Sequence, residues 1–368
     1  MIGCGVLEVK EWSGRPISQG HNTVGGQSLT INPVADSQWD ALLATHSKGS
    51  VFHTSAWARV LHDTYGHQPI YFCNVNDGVL RGLLPVMEVS SRLTGLRGVS
   101  LPFTDFCSSL SVPQLDWDPY VLAMAHGRER AWKYLECRST HRQWPGASPS
   151  LSFYGHVIHL DQGPVELFKG FKGAVRTCIR KAQALKVQVE FRSDPEAMKS
   201  FYSLHCLTRR RHGLPPQPFR FFENIGRHLL GTGQGVVISA FVDCRAVAAA
   251  VFLHYRQEAL FKFGASDYAF QGLRPNNLIM WEAMRHYAAN GFKLLHLGRT
   301  SFSNSGLRRF KCSFGAVEQL IDYCKYDFKR AAFVSDFDYS EGPASKVFKW
   351  LSVPALRLSG RLLYPHLG

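Results

Sequence analysis

Three observations predict an α/β fold built from two successive halves. The chain has 368 residues, more than a single hydrophobic core usually organises. It is 45% hydrophobic and 19% charged, the balance of a folded protein and not of a disordered one. The same run of elements also reads twice along it: two helices, a hairpin, a further strand, then a closing helix and strand. Each half is therefore expected to hold a mixed central sheet flanked by helices.

Residues 1–27, rich in Gly, Ser and polar side chains, read as a loose leader, and Leu29–Val34 reads as the first strand. Apolar periodicity predicts helices over 36–47 and 53–65, the second aligning Phe52, Trp57, Val60 and Leu61. Asn76-Asp77-Gly78 between two apolar runs predicts a hairpin over Ile70–Val75 and Val79–Val89. A helix over 118–137 and a strand near 154–160 complete the first half, assigned to 28–165. The second half, 166–335, is expected to hold a linker helix and then helices at 195–211 and 218–230. A hairpin over Gly235–Tyr255 turning near Asp243 comes next, then a strand at 259–265, a helix from Pro275 and a strand at 293–297. The tail, 336–368, carries Lys346, Lys349, Arg357 and Arg361 among apolar residues. It fits an amphipathic helix lying either on an anionic membrane or on the second domain.

The net charge of +14 implies a positive field that attracts polyanions. The charge is uneven: Lys172 to Arg227 holds twelve Lys or Arg against four acidic residues. No signal-peptide core is visible, and the most apolar window, Val236–His254, is interrupted by Asp243 and Arg245, so a cytoplasmic protein is expected. Nine scattered cysteines without a Cys-x-x-Cys pair point to reduced thiols. The histidines have no zinc-type spacing, so no metal is expected. No Gly-x-Ser-x-Gly elbow is present, and Gly231-Thr232-Gly233-Gln234-Gly235 lacks the Lys-Ser/Thr of a phosphate loop.

The densest chemistry lies between Arg274 and Gly315. Pro275 suits a helix's first position, and Asn276 and Asn277 beside it leave backbone donors at a helix start, where an anion or oxyanion is held. Arg299 directly follows a buried strand, a position that suits either a ligand contact or an ion pair. Arg209, Arg210, Arg211 and His212 close a helix, so they either cap it or rim a cleft. Lys311, after Phe310, is either a surface lysine in a basic turn or a cation for a carbonyl or phosphate. Asp105, in Leu101-Pro102-Phe103-Thr104-Asp105-Phe106, either caps a turn or is an acid whose pKa burial raises.

These segments, in this order, resemble the Fem-like branch of the GNAT-fold acyltransferases. The resemblance spans roughly 50–328 and rests on FHTSAWARVLHDTYGHQPIYF, GLLPVMEVSSRLTGLRGVSLPFTDF, VRTCIRKAQALKVQVEF, LTRRRHGLPPQPFRFFE and RRFKCSFG. It implies tandem GNAT-like domains and a bacterial N-acyltransferase. Such an enzyme moves an acetyl or aminoacyl group to an amine of a cell-envelope precursor, an exopolysaccharide intermediate or a small metabolite. Lys311 and Asp105 become the candidate catalytic residues: Asp105 accepts the amine's proton and Lys311 stabilises the oxyanion. Lys311→Ala is then expected to lower turnover far more than stability. Arg274, Asn276, Asn277, Arg299, Arg209, Arg211, His212 and Phe310 become candidate donor or acceptor contacts. In place of the family's coenzyme A loop stands Gln271-Gly272-Leu273-Arg274-Pro275-Asn276-Asn277, and no coiled-coil arm of the tRNA-dependent members is visible, so acyl-CoA and aminoacyl-tRNA both stand as donors. A non-catalytic basic protein binding nucleic acid or glycan on the same fold is the alternative.

Overall fold

The computed structural model describes residues 26–140, 144–336 and 348–367, with the backbone of Lys10 and Glu11. Most of the expected leader and residues 337–347 of the tail lie outside the described residues. The chain divides into two units: one of Met1–Leu151, Asp322–Asp336 and His366–Gly368, and one of Ser152–Ile321 and Phe337–Pro365.

In the first unit the strand order is Gln27–Ile31, Gln68–Asn76, Val79–Ser91, Gly95–Ser100, Tyr134–Ser139 and the Asp322–Asp327 part of a later strand. The expected hairpin forms, with Asn76 opposite Val79 and Asp77 and Gly78 at φ of 50° and 73°, the two positive values a type I′ turn requires. Helix Ser55–Tyr65 starts on Thr54, whose hydroxyl accepts from the Trp57 amide, and buries Trp57, Val60 and Leu61. Helix 118–137 is corrected: it spans Pro119–Glu129, capped by Asp118, and Ala131 at φ 55° ends it. Tyr134–Ser139 then forms a strand, where cross-strand packing overrides helical propensity. The strand Gly95–Ser100 was not anticipated. Gly98 in it lies against Trp132, whose ring carbon would sit 2.2 Å from an added Cβ, so the residue that looks like a strand breaker admits the indole.

The second unit orders its strands as Gln188–Arg192, Gly235–Val242, Arg245–Tyr255, Glu258–Ser266, Leu294–Thr300, Leu151–His159 and the start of Val317–Asp327. From Gln188–Arg192 to Leu151–His159 neighbours are antiparallel except Glu258–Ser266 with Leu294–Thr300. Alternation sends Ile238, Ala240, Ala250 and Leu295 to one face, where helices Gly163–Gly170, Gly173–Ala184 and Pro275–Ala289 cover them. On the other face, Phe263 packs against Phe201, Phe221 and Phe222 of helices Pro195–His212 and Phe219–His228. The tail forms helix Val353–Leu363, docked on Pro195–His212. Leu356 is fully buried, and Gly360 passes so close to Pro216 that an added Cβ would lie 1.9 Å from its carbonyl oxygen. Among the described residues no helix is long and apolar enough to cross a membrane.

Candidate functional site: a cleft where two parallel strands part

Strands Glu258–Ser266 and Leu294–Thr300 pair only at Glu258–Leu294, Ala259–Leu295 and Leu260–His296, and then separate. On the outer side, Leu294–Thr300 keeps its partner Leu151–His159 through a register shift between His296 and Arg299. On the inner side, Glu258–Ser266 keeps Arg245–Tyr255 through a shift at Val251/Phe252. Both irregularities bend the strands apart, so the facing edge of residues 261–266 is left without a ladder.

A cleft of about 690 Å³ occupies this opening. It is lined from both helical layers: Thr208, Arg211 and His212 from one, Asn276, Ile279 and Met280 from the other. Its floor is apolar, with Ala249, Ala250, Ile279 and Met280 each no more than 2% exposed. Lys262, Gln271, Asn304, Leu307 and Phe310 complete the walls. Polar groups fix its geometry. The Thr208 hydroxyl donates to the Ser266 carbonyl (3.2 Å) and accepts from the Ser266 amide (3.0 Å), while Asn276 Nδ2 donates to Ser266 Oγ (3.3 Å). An apolar floor below a cationic rim suits an amphiphilic ligand with a phosphate-bearing end.

The rim's cations differ in freedom. Arg209 is committed to the fold, donating to the Pro215 carbonyl (3.1 Å) and the Tyr364 hydroxyl (2.8 Å). Arg211 lies over the Tyr268 ring at 5.2 Å and donates to His212 Nε2 at 3.2 Å. Burial, and then Arg211, Arg209 and Lys349, lower the His212 pKa, so its ring is neutral near pH 7. His205 beneath it is pressed to about 3 by burial and by Arg209.

Helix Pro275–Ala289 begins with Arg274 as its N-cap at φ 59°, with no side-chain cap. The Asn277 and Leu278 amides turn back to the Arg274 carbonyl, and Pro275 has no amide to offer. Gln271 and Asn276 from this segment line the cleft; Arg274 is exposed at its start.

The expected basic turn at RRFKCSFG is instead a helix, Ser305–Cys312, started by the Asn304 side chain. Phe310 from it lines the cleft, whereas Lys311 is 3% exposed and donates to the carbonyls of Gly298 (3.1 Å) and Arg299 (2.9 Å). Lys311 thus serves two carbonyls at the irregular part of the parted strand. Arg299 is exposed, its guanidinium 4.3 Å above the Phe153 ring. Asp105 belongs to the first unit. Its carbonyl accepts from the Tyr323 hydroxyl (2.8 Å), and Arg138 donates to the Leu101 carbonyl (3.1 Å) in the same segment.

His156, Cys312 and Glu318 bring three ligand-type atoms within 4.8 Å of one another. Arg308 holds both Glu318 oxygens (2.7 and 2.8 Å) and sets its pKa at about 2. Burial and the nearby Lys311 press His156 to about 4. Arg308 occupies both oxygens of the one carboxylate in this cluster, so these residues fit a metal poorly.

Sequence reasoning missed Thr208, Lys262, Ser266 and the Ala249-Ala250 floor. Their signal was structural: two irregular ladders that no local pattern announces.

Residues 169–311 match the family model described as an acetyltransferase (GNAT) domain. FemX is similar in structure over 83% of this chain and 98% of its own, with a TM-score of 0.63 and 14% identity. The C-terminal domain of a putative lysylphosphatidylglycerol synthetase from Agrobacterium fabrum is similar over 80% of this chain and 93% of its own, with a TM-score of 0.55 and 11% identity. The L-PGS from Bacillus licheniformis is similar over 94% and 99%, at 0.53 and 12%. At these identities the likeness is one of fold. No curated protein matches the chain in sequence.

Proposed function

We propose that this protein is an N-acyltransferase that moves an acetyl or aminoacyl group from an activated donor, acyl-CoA or aminoacyl-tRNA, to an amine of a cell-envelope precursor, polysaccharide intermediate or small metabolite. The observation that carries this reading is the cleft between the parted strands, with its apolar floor and cationic rim. In this reading the donor's acyl end lies over Ala249, Ala250, Ile279 and Met280, and its phosphates meet Arg211, Lys262 and the start of helix Pro275–Ala289. Backbone amides along the unladdered edge of residues 261–265 stabilise the oxyanion. The amine's nitrogen bonds to the acyl carbon as the thioester or ester bond breaks. The thiol or ribose hydroxyl leaves, and the amine's proton passes to a base. Asp105 is the base the sequence points to, and His212, neutral at the rim, is the one the cleft offers. We assign Lys311 to holding the parted strand in place and not to contact with the acyl group.

Thermal shift with acetyl-CoA and with charged tRNA tests the reading. Stabilisation by either donor supports it, at about 2.7 kcal/mol when the donor is at a hundredfold its Kd. Stabilisation by uncharged nucleic acid alone, without transfer to any amine, would replace it with the binding-protein reading.

A further inference from the structure

Helix Val353–Leu363 turns only one side to the protein. Leu356, Gly360 and Tyr364 are buried, while Leu358 and Leu362, one turn apart, are 59% and 62% exposed. Just before the helix, Trp350 is 90% exposed beside exposed Lys349. Beneath this apolar stripe lies a second cleft, of about 510 Å³, separate from the acyl-transfer cleft and lined by Lys199, Tyr202, Phe219, Arg357, Leu358 and Arg361. Arg357 is held there, its guanidinium 5.0 Å from the Tyr202 ring and its Nε directed to Cys206 Sγ at 3.4 Å. No Asp or Glu follows Glu341 in the sequence, so this segment itself sets cations among apolar groups, while Lys199 across the cleft pairs with Glu196 at 2.6 Å.

An exposed tryptophan, two leucines one turn apart and flanking cations form the pattern of a helix lying in a lipid–water interface. An aqueous surface gains nothing from leaving three large apolar side chains uncovered, and a neutral apolar partner gains nothing from the cations. We propose that Trp350, Leu358 and Leu362 enter the headgroup boundary of an anionic membrane while Arg357 and Arg361 receive a lipid phosphate in the 510 Å³ cleft. The surface goes beyond the acyl-transfer reading and depends on none of its residues. It would bring the enzyme to acceptors presented at a membrane.

The test is cosedimentation of the full chain with phosphatidylcholine vesicles, with and without about a third phosphatidylglycerol. The chain is expected to sediment with the anionic vesicles and to be released by salt. Trp350→Ser with Leu358→Ser and Leu362→Ser should lower the bound-to-free ratio more than about tenfold, as the loss of buried apolar side chains requires. Arg361→Ala should lower it about fivefold, the worth of one cation near such a surface. These positions are exposed, so the unfolding midpoint should not move, and donor binding in the other cleft serves as a control for folding. Equal binding to neutral vesicles, or undiminished binding by the triple variant, would overturn the proposal. Binding of soluble glycerol phosphate without vesicle binding would overturn it in favour of a small-anion site.

Discussion

Replacing Lys311 with methionine keeps its stem and removes its ammonium. That ammonium donates to the Gly298 and Arg299 carbonyls at 3.1 and 2.9 Å from a site 3% exposed. Each hydrogen bond from a charged donor contributes about 1.5–3 kcal/mol, so the gross loss is roughly 3–6 kcal/mol. Relief from burying a charge returns part of it, and the two carbonyls are left without these donors, so a net cost of about 2–4 kcal/mol is expected. Urea unfolding of Lys311→Met beside the wild type measures the cost, and turnover assayed under strongly native conditions measures function. The expected result is a clear loss of stability, with turnover reduced because the strand end bordering the cleft relaxes. Unchanged stability with collapsed turnover would refute this reasoning and return Lys311 to the substrate, as the family resemblance implied.

Gly360→Ala should cost about 1–3 kcal/mol and open helix Val353–Leu363 to protease, because the new methyl would meet the Pro216 carbonyl oxygen; an unchanged digestion pattern would count against the docking. Stability should fall as the pH drops below about 6.5. His67 and His205 are pressed to about 3 and His156 to about 4, so unfolded chains bind protons that these folded sites refuse. The stability each contributes is fully present above 6.5 and is lost as pH falls toward its folded value, and His156→Gln should flatten the slope of urea midpoint against pH between 6.5 and 4. Asp105→Asn should lower turnover about a hundredfold or more if Asp105 takes the amine's proton, and an unaltered pH profile of kcat/KM would assign that task elsewhere. Arg211→Ala should weaken donor binding and its salt dependence, while Arg209→Ala should chiefly lower stability, since Arg209 is spent on Pro215 and Tyr364.

Much of the fold was legible because local chemistry and tertiary structure agree. Asn76-Asp77-Gly78 makes a two-residue turn wherever it stands between apolar runs, and Pro275 opens a helix for the same reason in any context. The sequence misled where tertiary packing chose. Residues after Glu129 look helical until Trp132 finds the space above Gly98. The candidate site was legible in part: Arg211, His212, Asn276 and Phe310 do line one cleft. The charge of Lys311 drew it toward the chemistry, but a buried ammonium is equally a means of satisfying carbonyls where a strand leaves its neighbour. Thr208, Ser266 and the alanine floor carry no motif. They become a site only because two ladders slip, and slippage is a property of paired strands that a single segment does not encode.

The proposed function stands or falls on whether the donor enters the cleft between the parted strands. Gly306 lines that cleft, and a Cβ there would have its nearest neighbour at 3.8 Å, so Gly306→Trp can place an indole at the opening without a backbone clash. Equilibrium binding of acetyl-CoA and of charged tRNA to wild type and Gly306→Trp therefore decides the matter. One donor should bind the wild type and lose about tenfold or more in affinity on the variant, with the unfolding midpoint unmoved. Equal affinity in both proteins would place the donor elsewhere and contradict the proposal.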